Sequence, residues 1–477
     1  MTLSVRSFAA ALAAALVTIV PAAPRAQALV GPPDPEVRAV IDAFVAAITS
    51  GQADQFEAVA QQRFAPEVLA RGTPQTRRAM AERIKTDYGT LTVQGVRILD
   101  GVTTIDVRGS TGLAGRFELS LDPAAPHRIT RVAILDGDGP GPQGPPAPVR
   151  PDMTPAAMTA ALDGFVAPHV ADDTFAGVVI IAKNGEPVVQ KAYGLADRES
   201  GRAATVATRY SLGSINKLVT RTAIGQLLSA GKLALTDAIG TLLPDYPNPA
   251  AKVATVQQLL EHQGGIADFF GPAFDAADKT TFRANADYYR FVAPMPLRHD
   301  PGARREYCNG CYIVLGAIVE KVTGMPYEDY VARNVYAKAG MTGAGPSALS
   351  SSGPAAIGYT RRGPGADPKA PLRPNGDLHG SAGSAAGGGY ATAADLLAFD
   401  TALRTGKLLD PERTQWMLHA PAVAGGRAGG ALGAAGGAPG INAGLESDGV
   451  WTVVVLANLD PPAANALAQS IRRGLGF

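Results

Sequence analysis

The sequence predicts an α/β protein of the α+β kind, in which helices and antiparallel strands build two folded domains. The chain has 477 residues, 46% of them hydrophobic, which is enough for more than one core. Residues 34–136 place helical patterns before alternating strand patterns. Residues 156–477 place strand patterns at both ends of a largely helical stretch. This second arrangement predicts one antiparallel sheet, flanked by helices, that the two ends of the domain complete.

Residues 1–28 predict a secretory signal peptide. One early cation, Arg6, precedes an apolar run over residues 8–20, and residues 26–28 read Ala-Gln-Ala, the pattern of a cleavage site. The run is shorter than the roughly 20 apolar residues that a membrane-spanning helix needs, which favours export over anchoring. We therefore expect a periplasmic or secreted protein, cleaved near Ala28, without a stable membrane span.

Residues 34–136 predict a small α+β accessory domain. Helical spacing of apolar residues comes first, and four stretches that alternate apolar and polar residues follow, as in antiparallel strands. The order resembles small helix-plus-sheet domains of nuclear-transport-factor-like or cystatin-like shape. Residues 137–155 are dense in Pro and Gly without an apolar period, which predicts an extended linker between the two domains.

Charge and cysteine content limit the function. The formal net charge is +1 and the basic residues are scattered, so no nucleic-acid footprint is present and a small-molecule or peptide partner is expected. The two cysteines, Cys308 and Cys311, form one C-x-x-C. This spacing allows a local disulfide in an exported chain, or a redox-active dithiol. The thioredoxin-like strand-helix-strand pattern that would favour the redox dithiol does not surround the two cysteines. Zinc needs more ligands nearby, so neither a metal nor a cofactor is expected.

The predicted second domain, residues 156–477, opens with two strands joined at Asn184-Gly185, a strong hairpin signal. It ends with two further strands and a closing helix. Between them lie helical stretches that contain Ser-x-x-Lys twice. A serine and a lysine three positions apart share one helix face, where the amine can act as base for the hydroxyl.

The two Ser-x-x-Lys sequences have different contexts. Ser229 and Lys232 enclose Gly231, where a helix should stop, so this copy predicts a helix end. Ser214 and Lys217 precede an apolar-periodic run and predict a helix start. Ser214 could serve there as a helix cap, or the positive helix end could favour charge that develops on a reacting carbonyl.

A Tyr-x-Asn sequence favours the first copy. Tyr307 and Asn309 stand immediately before an apolar helix. A second match that begins at Tyr246 lies among prolines in an extended loop and is the weaker candidate. Alone, Tyr307 could be a core aromatic residue and Asn309 a turn residue.

Residues 174–475 resemble the serine β-lactamase and penicillin-binding-protein superfamily, most nearly its class C branch with the related esterases and D-amino-acid peptidases. The matching stretches follow in order: AGVVIIAKNGEPVVQKAYGLADRESGR, TRYSLGSINKLVT, LSAGKLALTDAI, VQQLLEHQGGIADF, PGARREYCNGCYIVLGAIVEKVTGMPYEDYV, GGGYATAADLLAF and GGAPGINAGL with VWTVVVLANLD. The resemblance implies a catalytic Ser214 that becomes acylated, Lys217 as the neighbour that deprotonates it, and Tyr307 as a proton relay. It implies that Asn309 binds substrate.

The third motif of that superfamily, Lys-Thr-Gly or His-x-Gly, is incomplete in this chain. Ala434 stands where the basic or imidazole side chain belongs. The resemblance implies that Gly436 and Gly437 still bind substrate, with the Gly437 backbone N–H completing an oxyanion hole with that of Ser214. We interpret His262, in the stretch LLEHQGG, as a structural residue rather than a replacement.

The loss of this side chain weakens recognition of a substrate carboxylate, such as the one that penicillins carry. The sequence therefore predicts an exported serine hydrolase that cleaves an ester or amide through a Ser214 acyl-enzyme. Esterase or D-amino-acid peptidase activity is preferred to β-lactamase activity. The alternative is a catalytically weakened penicillin-binding-like pseudoenzyme that acts as a binding module.

Overall fold

The structure is a computed structural model, and it describes residues 34–70, 73–99, 102–110, 114–136, 147, 149–348, 354–362, 371–419 and 430–477. The predicted signal peptide lies outside the described residues. So does most of the predicted linker, of which only residue 147 and residues 149–155 are described.

The first part of the chain follows the predicted order of helices and then strands. The helices are α1 (Pro35–Ser50), α2 (Ala53–Arg63), α3 (Pro66–Leu69) and α4 (Pro74–Tyr88). The strands form one antiparallel sheet in the order β1 (Leu91–Leu99), β2 (Val102–Gly109), β3 (Ala114–Leu121) and β4 (Ile129–Asp136). Alternate strand residues such as Ile105 and Phe117 pack with Phe44 of α1 in one apolar cluster.

The rest of the chain combines helices with short and long strands. Its elements up to residue 360 are α5 (Pro155–Ala171), β5 (Gly177–Lys183), β6 (Glu186–Tyr193), β7 (Leu195–Asp197), β8 (Arg202–Ala203), β9 (Tyr210–Ser211), α6 (Asn216–Ser229), α7 (Ile239–Leu242), α8 (Val256–Leu260), α9 (Pro272–Ala276), α10 (Asn285–Val292), α11 (Asn309–Thr323), α12 (Tyr327–Val331), α13 (Ala337–Ala339) and β10 (Tyr359–Thr360). The remaining elements are β11 (Arg373–Pro374), β12 (Tyr390–Ala391), α14 (Ala393–Arg404), α15 (Pro411–Leu418), β13 (Leu432–Ala438), β14 (Ile441–Ser447), β15 (Trp451–Ala457) and α16 (Ala463–Leu475).

The central sheet has the strand order β13-β14-β15-β5-β6, and every neighbouring pair is antiparallel. The late strand β15 pairs with the early strand β5, with Val454 opposite Ile180. This pairing confirms the prediction that the two ends of the domain complete one sheet.

Both faces of the central sheet are covered by helices. Val178 and Ile180 of β5 belong to an apolar cluster shared with α6, α11 and α14, whereas Val179 and Ile181 belong to a second cluster shared with α5 and α16. Successive side chains of a strand point to opposite faces, so a strand buried on both faces reads as the continuous apolar run Val-Val-Ile-Ile. The sheet therefore separates two apolar cores.

The hairpin between β5 and β6 has the predicted turn. Asn184 and Gly185 have φ angles of 52° and 81°, the left-handed values that a tight two-residue hairpin turn requires.

None of the helices in the described residues has both the length and the apolar character to span a bilayer.

The end of the predicted linker packs on the closing helix. Ala147 and Val149 are buried in the apolar cluster of α5 and α16. The Ala147 N–H donates to the Ser470 carbonyl at 3.2 Å. Residues at this end of the linker therefore belong to the core of the second part of the chain.

Candidate active site

Ser214 lies in a single 3-10 turn, Gly213–Ile215, immediately before α6. The turn follows β9, which pairs with β12. Gly213 has a φ of +51°, and a Cβ at this position would lie 2.9 Å from the Gly437 nitrogen. A side chain is therefore excluded twice, by the backbone angle and by the neighbouring strand. This brings Ser214 to the start of a buried helix, beside the edge of the central sheet.

The second Ser-x-x-Lys is the end of the same helix, as predicted. Helix α6 ends at Ser229, and Gly231 follows with a φ of +63°. The Ser229 hydroxyl bonds to the Asp410 carboxylate, and the Lys232 N–H closes the helix on the Leu227 carbonyl at 3.0 Å. The two serines thus occupy opposite ends of one helix.

The amine of Lys217 is buried against three acceptors. Its Nζ lies 3.3 Å from Ser214 Oγ and 2.8 Å from Asn309 Oδ1, and it also bonds to the Ala386 carbonyl. Burial lowers the pKa of this amine from 10.5 to about 7, opposed by the negative charge of Asp268. A neutral amine can donate to two of these acceptors and still accept the serine proton with its lone pair.

Tyr307 also contacts Ser214. Its hydroxyl donates to Ser214 Oγ at 2.7 Å although the two residues are 93 positions apart. The Tyr307 ring lies 4.8 Å from Lys217 Nζ and is half exposed. The competing Tyr246 is instead buried against Tyr289.

Asn309 begins α11 and is held by protein groups at both ends of its amide. Oδ1 accepts from Lys217, and Nδ2 donates to the Asp268 carboxylate at 2.9 Å. Asp268 is a member of the site that the sequence analysis did not identify. The sequence offered one indirect signal for Asp268: it lies in VQQLLEHQGGIADF, one of the stretches that carry the family resemblance.

The edge strand β13 passes directly beside the serine turn. A Cβ on Gly436 would lie 2.0 Å from the Leu212 carbonyl oxygen and 2.9 Å from the Ser214 nitrogen. The Asn442 side chain on β14 bonds to the Gly436 carbonyl at 2.9 Å and so holds the strand from its inner side. Ala434, opposite Leu445, is partly buried against the apolar cluster and has no polar side-chain group to offer.

The C-x-x-C forms a local disulfide. Cys308 and Cys311 are bonded to each other across the first turn of α11, between Tyr307 and the body of that helix. Among the described residues, no group of three or more His, Cys, Asp or Glu side chains is arranged to hold a metal ion.

Comparison with known proteins assigns the fold to a family. The β-lactamase family model matches residues 162–474. The chain belongs to the β-lactamase family. The match covers the serine turn (Gly213–Ile215), the loop before α11 that carries Tyr307 (the Tyr307 loop), and the edge strand β13.

Individual relatives of this β-lactamase family member include penicillin-binding proteins. It is 33% identical over 237 residues to a candidate penicillin-binding protein, PbpX, of Bacillus subtilis strain 168, covering 49% of this chain and 56% of the relative. It is 32% identical over 179 residues to a candidate D-alanyl-D-alanine carboxypeptidase of Escherichia coli strain K12, covering 34% and 41%. The chain thus spans about half the length of the curated relatives it matches.

A solved structure supports the same assignment. The penicillin-binding protein from Bacillus halodurans superposes with a TM-score of 0.58 at 26% identity, covering 65% of this chain and 99% of that chain. The predicted fold class of the β-lactamase family member, an antiparallel sheet flanked by helices, is confirmed.

Proposed function

We propose that this protein is a serine hydrolase that cleaves a neutral ester or amide through an acyl-enzyme on Ser214. One observation carries the proposal: Ser214 Oγ lies between the buried amine of Lys217, at 3.3 Å, and the hydroxyl of Tyr307, at 2.7 Å. A nucleophile within reach of two proton-transfer groups is the arrangement that covalent catalysis requires.

The acylation step follows from these contacts. Neutral Lys217 takes the proton of Ser214, and Oγ attacks the substrate carbonyl carbon, forming a bond while the carbonyl electrons move to oxygen. The tetrahedral intermediate then expels the leaving group, which takes a proton from Tyr307. The ammonium on Lys217, beside the Tyr307 ring, compensates the charge that the phenol acquires. Water attacks the ester in the second half-reaction, with the proton transfers reversed.

In the tetrahedral intermediate the substrate carbonyl oxygen is negatively charged, and it needs hydrogen-bond donors on the side of β13. The backbone N–H groups of Ser214 and Gly437 are the candidates, because the contacts of Gly213 and Gly436 bring these two amides close together. Both donors belong to backbone fixed by neighbouring strands, so they need little reorganisation during the reaction.

Substrate choice follows from what the site lacks. Ala434 provides no cation or imidazole on β13, and Asn309 is engaged by Lys217 and Asp268. A substrate carboxylate at this edge would therefore lose a partner. We propose esters, and amides or peptides of D-amino acids without a free carboxylate at this edge, ahead of penicillin-like substrates.

We also propose that the protein is exported to the periplasm or secreted. The signal-peptide pattern of residues 1–28 supports this, and so does the Cys308–Cys311 disulfide, since such bonds persist in oxidising compartments. Mass analysis of the protein recovered from the periplasm or medium tests it, with cleavage near Ala28 as the expected result.

Covalent labelling tests the catalytic proposal. Full-length protein is treated with a fluorophosphonate and a labelled penicillin, and intact mass and peptide mapping locate the adduct. We expect one adduct on the peptide with Ser214, loss of labelling in Ser214→Ala, and normal labelling in the matched control Ser229→Ala. Turnover of neutral esters, D-aminoacyl anilides and a chromogenic cephalosporin then ranks the substrate classes.

Two outcomes would contradict the proposal. An adduct on Ser229, or turnover that survives Ser214→Ala, would assign the chemistry to another residue. A Ser214 adduct that forms but never turns over on any of these substrates would favour the pseudoenzyme with a binding role.

A further inference from the structure

We propose that His262 is a positioning residue, which holds the Tyr307 hydroxyl on Ser214 Oγ by fixing the loop that carries Tyr307. The inference rests on the proposed function, since it assigns a residue to the acylation step. His262 itself acts through Tyr307.

Three consecutive residues of the Tyr307 loop contact His262. The Glu306 N–H donates to the His262 carbonyl at 2.9 Å, and the Cys308 N–H donates to His262 Nδ1 at 3.0 Å. Between them, the Tyr307 ring stacks on the imidazole, with centroids 4.7 Å apart and planes inclined by 29°. One residue therefore fixes the loop immediately before, at and after the tyrosine.

The imidazole also lies against an aromatic ring of the core. The Tyr312 ring lies 5.1 Å from the imidazole, is fully buried on α11, and bonds through its hydroxyl to the Leu260 carbonyl at 3.2 Å. Three rings thus run from the core to the half-exposed Tyr307. Because solvent lies on one side of Tyr307, the packing on its other side determines where the hydroxyl rests.

His262 has a backbone conformation that most side chains avoid. Its φ is +59°, in the left-handed region that glycine and asparagine adopt more readily than histidine. Its Nε2 is buried without a hydrogen-bond partner in the described part of the chain, so the ring makes its polar contact through Nδ1. Glycine, which has no Cβ, would adopt this angle without strain, and the contacts to Tyr307 and Cys308 offset the strain of histidine.

The charge state of the ring suits this role. Burial, with the nearby cations Lys217, Arg305 and Arg221, lowers the pKa of His262 to about 3. The imidazole therefore stays neutral wherever the enzyme would work, and Nδ1 remains an acceptor for the Cys308 N–H. A neutral ring also avoids repulsion of the Lys217 ammonium during catalysis.

A double-mutant cycle tests the proposal. His262→Asn keeps an acceptor and suits the left-handed backbone, but removes the stacked ring. Acylation rate, kcat and KM for a neutral ester, and thermal midpoint are measured for this variant, for Tyr307→Phe and for the double variant. We expect His262→Asn to lower the acylation rate and kcat about tenfold, with KM within about twofold, comparable to the loss of one aromatic contact. In the Tyr307→Phe background, His262→Asn should lower the acylation rate by less than about twofold.

His127 supplies a matched control. It also has a left-handed backbone, with a φ of +52°, and its Nδ1 bonds to the Asp122 carbonyl at 3.0 Å, but it lies between β3 and β4. His127→Asn should leave acylation unchanged, whatever it does to stability. If His262→Asn does not fold, His262→Phe replaces it in the cycle. This variant keeps a ring and removes the hydrogen-bond acceptor. We then expect the acylation rate to fall at least about threefold, and this loss to disappear in the Tyr307→Phe background.

The outcomes separate the inference from the proposed function. Equal losses in both Tyr307 backgrounds, or no loss at all, would overturn the positioning role while wild-type labelling of Ser214 leaves the hydrolase proposal intact. Absence of the Ser214 adduct in the wild type would overturn the proposed function, and this inference with it.

Discussion

The chemistry of Lys217 depends on its surroundings. In water its amine would be charged at neutral pH, but burial removes it from water and makes the charged form costly. The nearby Asp268 carboxylate offsets part of that cost. Together they bring the pKa to about 7, where a base can take a proton from serine and later return it.

Acylation should depend on pH through this amine. Only neutral Lys217 can accept the serine proton, so the rate should rise with pH around a midpoint of about 7, fall about tenfold per unit below that midpoint, and level off above it. Stopped-flow acylation by a neutral ester between pH 5 and 9 measures the profile. A rate that is flat through this range would contradict the assignment of Lys217 as the base.

Asp268→Asn tests the cause of that midpoint. The carboxylate raises the pKa of Lys217, so its removal should move the midpoint to lower pH, even if the plateau rate also falls because Asn309 loses a partner. The same pH profile measures the shift. An unchanged or higher midpoint would mean that Asp268 does not act on the amine.

At the scale of secondary-structure elements, the site depends on the close approach of β13 to the serine turn. Gly436→Ala would place a Cβ 2.0 Å from the Leu212 carbonyl, so the strand must move and take the Gly437 N–H with it. We expect labelling to slow by at least about a hundredfold, as when one oxyanion donor is lost. Gly95→Ala on β1, where no described atom lies within 4 Å of the new Cβ, is the control. Wild-type labelling of Gly436→Ala would exclude β13 as a donor.

The disulfide belongs to α11 and the loop before it. It joins residues only three apart, and the loop is also held by hydrogen bonds to His262, so the bond should be dispensable for chemistry. The double change Cys308→Ser with Cys311→Ser should leave the acylation rate within about tenfold, as measured by time-resolved labelling. A folded double variant that no longer labels would indicate a thiol-dependent mechanism.

At the scale of the whole molecule, the part of the chain that matches the β-lactamase family should fold without residues 34–136, provided that the end of the linker is kept. Ala147 and Val149 are buried against α16, so a fragment of residues 147–477 should be more stable than one of residues 152–477 by about 2 kcal/mol. Urea unfolding of both fragments measures the difference, and both should label at Ser214. Equal midpoints would mean that this packing contributes nothing.

The fold was accessible from the sequence because its signals are local. Apolar runs, strand alternation and the Asn184-Gly185 turn act over a few residues, and each predicted the element that the structure contains. The partners of the site residues were less accessible. Asp268 lies 41 positions before Asn309, and neither periodicity nor spacing indicates such a contact. The sequence predicts a structural role for His262 but does not indicate the loop that it contacts.

The sequence by itself determined the order of helices and strands in the first part of the chain, the strands at both ends of the second part, and the proximity of Ser214 to Lys217, because residues three apart at a helix start are neighbours in any fold. Only the tertiary structure decided that Tyr307 reaches Ser214, that Asn309 lies between Lys217 and Asp268, and that burial lowers the pKa of the lysine. Those facts depend on contacts across tens of residues. Packing of the whole domain creates them, and no local pattern encodes packing.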